Sequence, residues 1–357
     1  MAADEAFRTL MVAMSHLPGR RELALIRDEI SSAAAMFTER GWHEDPAGYH
    51  ETPPGLPSVL SNKERSWGIE YDHVRFVSGY EPHPDEPGRD RWLSYKPTRT
   101  AHAWVLRHRG RSRPWLVCVH GYRMGFPIAD FTAFRAEWLH RELGLNLVVP
   151  VLPLHGERKV GKRSGDGFFT AAVMDTIHAE AQAIWDLRRI LDWIRGQDGG
   201  DRVGVYGVSL GGYTTALLAG FEAELACVVA GMPAICLTSL LEMHAPKRLL
   251  KVAQSAGIDW EGVRRAARVI SPLAIKPVVP HERRYLFAGV ADRLIPRDQI
   301  RRLWEHWEKP VLRWFEGSHL SFTWETDKIN ALLERSLRDA GLLRMVRTPA
   351  AAAERAA

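Results

Sequence analysis

Val203-Gly204-Val205-Tyr206-Gly207-Val208-Ser209-Leu210-Gly211-Gly212 runs from an apolar, β-branched stretch into a Gly-x-Ser-x-Gly turn, then into a helix-forming segment from Tyr213 to Ala219. A strand that turns straight into a helix across one serine leaves little room beside the turn. The residues two before and two after the serine must then be nearly without side chains, and the new helix aims its amide end at the serine oxygen. Gly207 and Gly211 meet that demand. Five-residue matches of this kind arise by chance in many chains, and it is the strand before and the helix after that give this one meaning. The competing reading is an ordinary strand-to-helix turn with an incidental serine, and it weakens with each partner found for Ser209.

A serine hydroxyl is a poor nucleophile at neutral pH, so it needs a base within hydrogen-bond reach and a third group to hold that base. In this arrangement the chain order is serine, acid, histidine. Arg284 to Val290 reads as a buried strand and Ala291-Asp292-Arg293-Leu294-Ile295-Pro296 as its exit turn, which makes Asp292 the candidate acid. Asp298 is the alternative, although its place suits starting the helix Gln299 to Glu308. Pro310 to Phe315 reads as a further strand, and His319 follows in a glycine-containing loop ahead of a helix from about Phe322 to Asp339. His319 is the candidate base. Among the other histidines, His281 precedes its strand and His306 lies within a helix pattern, so neither sits at a strand's C-terminal tip.

Attack on a carbonyl also needs two amide donors aimed at the developing oxyanion. One is the N–H of Leu210, directly after the serine. The second is expected in the loop after an earlier strand. Pro114 to Val119 is such a strand, and it enters His120-Gly121-Tyr122-Arg123-Met124-Gly125. Gly121 is expected to let the chain turn so that the Tyr122 N–H points at the site, and His120 to brace the loop rather than move protons.

With these residues in place the chain resembles the α/β-hydrolase superfamily over roughly Ala101 to Leu343. His120-Gly121-Tyr122 matches its oxyanion loop, Gly207-Val208-Ser209-Leu210-Gly211 its elbow, and Asp292 and His319 its acid and base. The segment from Val149 to Lys159 resembles the branch containing α/β-hydrolase domain-containing protein 18. The superfamily resemblance implies an eight-stranded, mostly parallel sheet flanked by helices, and hydrolysis of a carboxylic ester or thioester through a covalent acyl-enzyme. Two alternatives stay open: an amidase or peptidase using the same machinery, and a non-catalytic binding protein on the same fold.

Strands separated by helices of ten to twenty residues imply a parallel sheet. The pattern predicts strands at Ile69 to Val77, Ala101 to Arg107, Trp115 to Val119, Leu145 to Leu152 and Ala226 to Ala230, besides the three named above, with helices at Ala129 to Leu143 and Ala179 to Arg195. A helical and irregular N-terminal extension is expected over 1–65, a catalytic domain over 66–347 with a helical cap insertion at about 235–275, and a disordered tail over 348–357. The helical spacing of Leu23, Ile26, Ile30, Met36 and Phe37 lies in the extension, and Gly41 ends it.

Apolar content of 46% and charged content of 25% are those of a soluble globular chain. The formal charge is only +5 across 357 residues. Basic residues cluster in 107–113, read as a solvated hairpin turn, and in 158–163, placed where an anionic substrate or lipid headgroup would be attracted. No aromatic-interleaved basic strip or nucleic-acid motif appears, so a small acyl substrate is the expected partner and nucleic acid is not. Cys118, Cys227 and Cys236 lie in or beside apolar runs without metal-ligand spacing and read as buried thiols. No metal or organic cofactor is expected. The acidic start of the chain, with no apolar run near the ~18 residues of a membrane span, leads us to expect a cytoplasmic protein.

Overall fold

The computed structural model describes residues 4–6, 9, 18–110, 112–170, 172–324 and 326–343. Its strands are β1 (Leu60–Ser66), β2 (Ile69–Val77), β3 (Thr100–Leu106), β4 (Trp115–Val119), β5 (Asn146–Pro150), β6 (Val203–Val208), β7 (Cys227–Gly231), β8 (Arg284–Gly289) and β9 (Val311–Phe315). They form one nine-stranded sheet in the order β1-β2-β3-β5-β4-β6-β7-β8-β9. The first three strands and the β3–β5 pair are antiparallel. From β5 through β4, β6, β7 and β8 to β9 all pairs are parallel. Every residue of β4, β5, β6, β7 and β8 is buried, because helices cover both faces and a parallel strand then has no solvent side. This is the α/β-hydrolase fold.

The helices are α1 (Arg20–Glu39), α2 (Arg89–Ser94), α3 (Pro127–Ala133), α4 (Val173–Arg195), α5 (Leu210–Leu218), α6 (Leu237–His244), α7 (Lys247–Ser255), α8 (Trp260–Ala266), α9 (Arg297–His306) and α10 (Thr326–Asp339). Among the described residues no helix is long and apolar enough to cross a membrane. Helices α6 to α8 occupy the connection between β7 and β8. Leu23, Ile26 and Ile30 of α1 share an apolar cluster with Ala253 of α7, Val263 of α8 and Ile258 between the two. The N-terminal helix and the insertion are thus packed into one layer.

The sheet corrects three expectations. It has nine strands rather than eight, because β1 forms within the stretch expected to be a helical and irregular extension. That strand exposes nearly all its side chains and is held on β2 by an antiparallel ladder along its whole length, with the ion pairs Lys63–Asp72 and Arg65–Glu70 across it. Segment 107–113 is not a hairpin turn: it carries the chain from β3 to β4, which lie on opposite sides of β5. The single helix expected over 129–143 breaks at Arg135, whose φ is +49°, and resumes as a π-helical turn at Trp138–Glu142. The tail 348–357 lies outside the described residues.

Candidate active site

Ser209 sits at the tip of β6 with φ +57° and ψ −117°, a conformation that costs a non-glycine residue about 1–3 kcal/mol. The surroundings hold it there: its N–H donates to the Gly231 carbonyl at the tip of β7, at 2.8 Å. Both elbow glycines are sterically required. A Cβ at Gly207 would lie 2.1 Å from the Gly211 carbonyl oxygen, and one at Gly211 would lie 1.9 Å from that of Val119. Gly121 differs from its expected role. It has no positive φ, and a Cβ there would make ordinary contacts with Ser209 and Met124, so the turn does not demand glycine.

The loops after β8 and β9 bring Asp292 and His319 to the same tip. His319 Nε2 lies 2.9 Å from Ser209 Oγ, and His319 Nδ1 lies 2.7 Å from Asp292 Oδ2. The other Asp292 oxygen accepts from the Leu294 and Ile295 N–H groups, each at 2.8 Å. These backbone bonds fix the carboxylate, and the carboxylate fixes the ring. Burial disfavours the His319 imidazolium, but the Asp292 charge and hydrogen bond, helped by the charge of Asp4, outweigh it and raise its pKa above the ordinary value. The alternatives are engaged elsewhere. Asp298 lies in the first turn of α9, His281 Nε2 meets the Glu308 carbonyl, and His306 Nε2 meets that of Ile275.

His120 is fully buried, and its tautomer can be read from its neighbours. Nε2 accepts from the Leu152 N–H at 3.0 Å, so the ring proton is on Nδ1 and is donated to the Gly121 carbonyl at 2.8 Å. Burial is the main reason its pKa falls, which keeps the ring neutral. In a planar trans peptide the carbonyl and the following N–H point to opposite sides. By holding the Gly121 carbonyl, His120 sets the direction of the Tyr122 N–H. Among the described residues, the N–H groups of Tyr122 and Leu210 donate to no other backbone group.

One further group reaches this centre without any warning from sequence. Asp4 is fully buried, and its carboxylate accepts from the N–H groups of His319 (3.0 Å), Leu320 (3.1 Å) and Arg293 (3.2 Å). Burial alone would raise its pKa, but these amides, with the Ser318 hydroxyl, lower it below the usual carboxylate value.

The basic segment 158–163 is only partly what its sequence suggests. Arg158 is 1% exposed and bound to Asp186, so it is closed to any anionic partner. Lys159, Lys162 and Arg163 are at the surface or near it. Cys118 and Cys227 are buried, whereas Cys236 is half-buried with Sγ 2.9 Å from Ser239 Oγ.

No family model matches the chain. It is 41% identical over 360 residues to two Mycobacterium tuberculosis proteins, MT2702 of strain CDC 1551 / Oshkosh and Rv2627c of strain ATCC 25618 / H37Rv, covering 97% of this chain and 84% of each of theirs. Among solved structures, acetyl xylan esterase 1 from Thermoanaerobacterium sp. JW/SL YS485 superposes with a TM-score of 0.59 at 12% identity, over 85% of this chain and 93% of its own. The acetyl xylan esterase from Paenibacillus sp. R4 gives 0.55 at 14% identity, over 84% and 99%. The chain therefore belongs to the family of the two mycobacterial proteins and carries it on an α/β-hydrolase fold.

Proposed function

We propose that the protein is a serine hydrolase that cleaves a carboxylic ester or thioester through an acyl-enzyme. The observation that carries this reading is the His319 ring held between Ser209 Oγ at 2.9 Å and Asp292 Oδ2 at 2.7 Å. A base so oriented takes the Ser209 proton on Nε2 as Oγ bonds to the acyl carbon. The carbonyl electron pair moves onto its oxygen, which the N–H groups of Leu210 and Tyr122 receive. As the tetrahedral intermediate collapses, the bond to the alcohol or thiol breaks and His319 returns the proton to that leaving group. Water repeats the sequence on the acyl-Ser209 ester, releasing the carboxylic acid and restoring the serine. Each oxyanion donor is worth roughly 2.7–4 kcal/mol of barrier in such sites. The names of the two superposed esterases are consistent with an ester as the cleaved bond.

Two measurements on the purified protein test the proposal. A fluorophosphonate probe should add to Ser209, as located by peptide mapping, and a p-nitrophenyl ester should turn over in preference to its matched anilide. Modification at another residue, or preference for the anilide, overturns it.

A further inference from the structure

Ser209 and His319 open into a cleft of about 1130 Å³ that is larger than a small acyl group needs. Sites for drug-sized ligands run to roughly 300–1,000 Å³. Its lining includes Leu25 and Ile26 of α1 and Leu249 and Leu250 of α7. Helix α7 is unusual in leaving its own apolar face unfinished. Only Ala253 is buried, Leu249 and Leu250 are half-buried against the cleft, and Lys247, Arg248 and Lys251 point to solvent. Leu25 of α1, also in the lining, is 52% exposed. Several of the charged groups that line it are paired: Arg91 holds Glu29 at 2.9 Å and Asp175 at 2.8 Å, Tyr95 donates to Asp175 at 2.8 Å, and Arg123 holds Asp166, while Lys162 and Arg163 are exposed at its border. Most of the other lining residues are apolar, and Ser209 is among the lining.

We infer that the cleft takes an ester bearing a long hydrocarbon chain, which completes the packing that α1 and α7 leave open. This rests on the serine-hydrolase reading and names its substrate class. Each CH₂ moved from water into such a wall is worth about 0.8 kcal/mol, close to fourfold in kcat/KM if fully expressed.

Two series of substrates test it: p-nitrophenyl acyl esters from acetyl to hexadecanoyl, and alkyl acetates of the same lengths, which place the chain on the alcohol side. In one series kcat/KM should rise at least roughly 100-fold between two and ten carbons, and the series that responds tells which side of the ester the chain occupies. Leu250→Trp, which fills the cleft, and Leu25→Glu, which puts a charge on an exposed position of its wall, should each lower the ratio of ten-carbon to two-carbon turnover at least about tenfold. A two-carbon optimum in both series, with Ser209 still labelled by a fluorophosphonate, overturns the chain-length inference alone. No turnover at any length and no labelling overturns the hydrolase reading beneath it.

Asp4 supports a separate inference. Its carboxylate links the loop after β8, at Arg293, to the loop after β9, at His319 and Leu320, and so ties together the two loops that carry Asp292 and His319. We propose that Asp4 is a positioning residue for the base, acting within the same serine-hydrolase reading. The charged groups that act on the His319 ring are Asp292, from the loop after β8, and Asp4; both favour the imidazolium. The base must be neutral to accept a proton, so turnover falls as pH falls through the His319 pKa. Removing the Asp4 charge lowers that pKa and moves the acid limb to lower pH.

Asp4→Ala should slow Ser209 labelling and ester turnover by roughly tenfold or more through misplacement of the base. Asp4→Asn, which keeps an acceptor, should recover part of the rate while displacing the acid limb of kcat/KM downward in pH. A lowered melting temperature with an unmoved limb, or rates equal to the parent in both variants, overturns the positioning role. A parent protein that does not label at Ser209 overturns the hydrolase reading instead.

Discussion

Changing Asp292 to asparagine is expected to lower kcat/KM for ester hydrolysis by roughly 10⁴-fold, approaching the loss from Ser209→Ala, while leaving the fold intact. The reason is tautomeric. Asp292 Oδ1 accepts two backbone N–H groups, from Leu294 and Ile295. An asparagine must keep its oxygen there, because its NH₂ facing two donors would leave all of them unpaired. The NH₂ then faces His319 Nδ1, which becomes an acceptor, and the ring proton moves to Nε2. That nitrogen lies 2.9 Å from Ser209 Oγ and can no longer take its proton. The loss corresponds to about 5 kcal/mol of barrier. Steady-state kinetics with one ester, beside melting curves of parent and variant, provide the check. A fall of less than tenfold would mean that the base is oriented by another group.

Much of this centre is legible in the chain because the fold delivers functional groups at strand tips, and strand tips are marked locally. An apolar run followed by glycine, aspartate or histidine marks the ends of β4, β6, β8 and β9 without knowledge of which strands are neighbours. What sequence hides is pairing over distance. Asp4 stands 289 residues from Arg293 and 315 from His319, and its own segment has no pattern that points to them. Strand β1 is hidden for a different reason. Leu-Ser-Asn-Lys-Glu-Arg-Ser has no buried face, so the alternation that reveals a half-buried strand is absent, and the strand forms through its backbone ladder to β2. The connection from β3 to β4 looks like a hairpin because adjacency in sequence suggests adjacency in space; only β5, inserted later in the chain, separates them.

Arg158 shows the same limit in energetic form, and its removal should be the most damaging single change outside the cluster of Ser209, His319 and Asp292. Seen along the chain it is one cation in a basic cluster, yet the fold buries it. Its guanidinium donates to Asp186 Oδ2 at 2.8 Å, to the Thr98 carbonyl at 2.9 Å and to the Val151 carbonyl at 3.0 Å. Asp186 also accepts from Ser78 Oγ at 2.6 Å, so α4, the chain leading into β3 and the chain leaving β5 meet at one buried charge pair. Burial pushes the Arg158 pKa down and the Asp186 pKa up, and each partner's charge opposes that push on the other. Arg158→Met should cost about 3–5 kcal/mol, since it strands the Asp186 carboxylate without its counter-ion. Without the arginine, the folded-state pKa of Asp186 rises further above its unfolded value. The variant's deficit is then smallest at acid pH, where Asp186 is protonated in both states, and grows as pH rises toward that pKa. Denaturant melts at pH 5 and pH 8 should show the difference. The double change Arg158→Met with Asp186→Leu should restore much of the lost stability, because two apolar side chains leave no charge to bury. A single variant as stable as the parent at both pH values would mean that the pair contributes nothing to holding these three elements together.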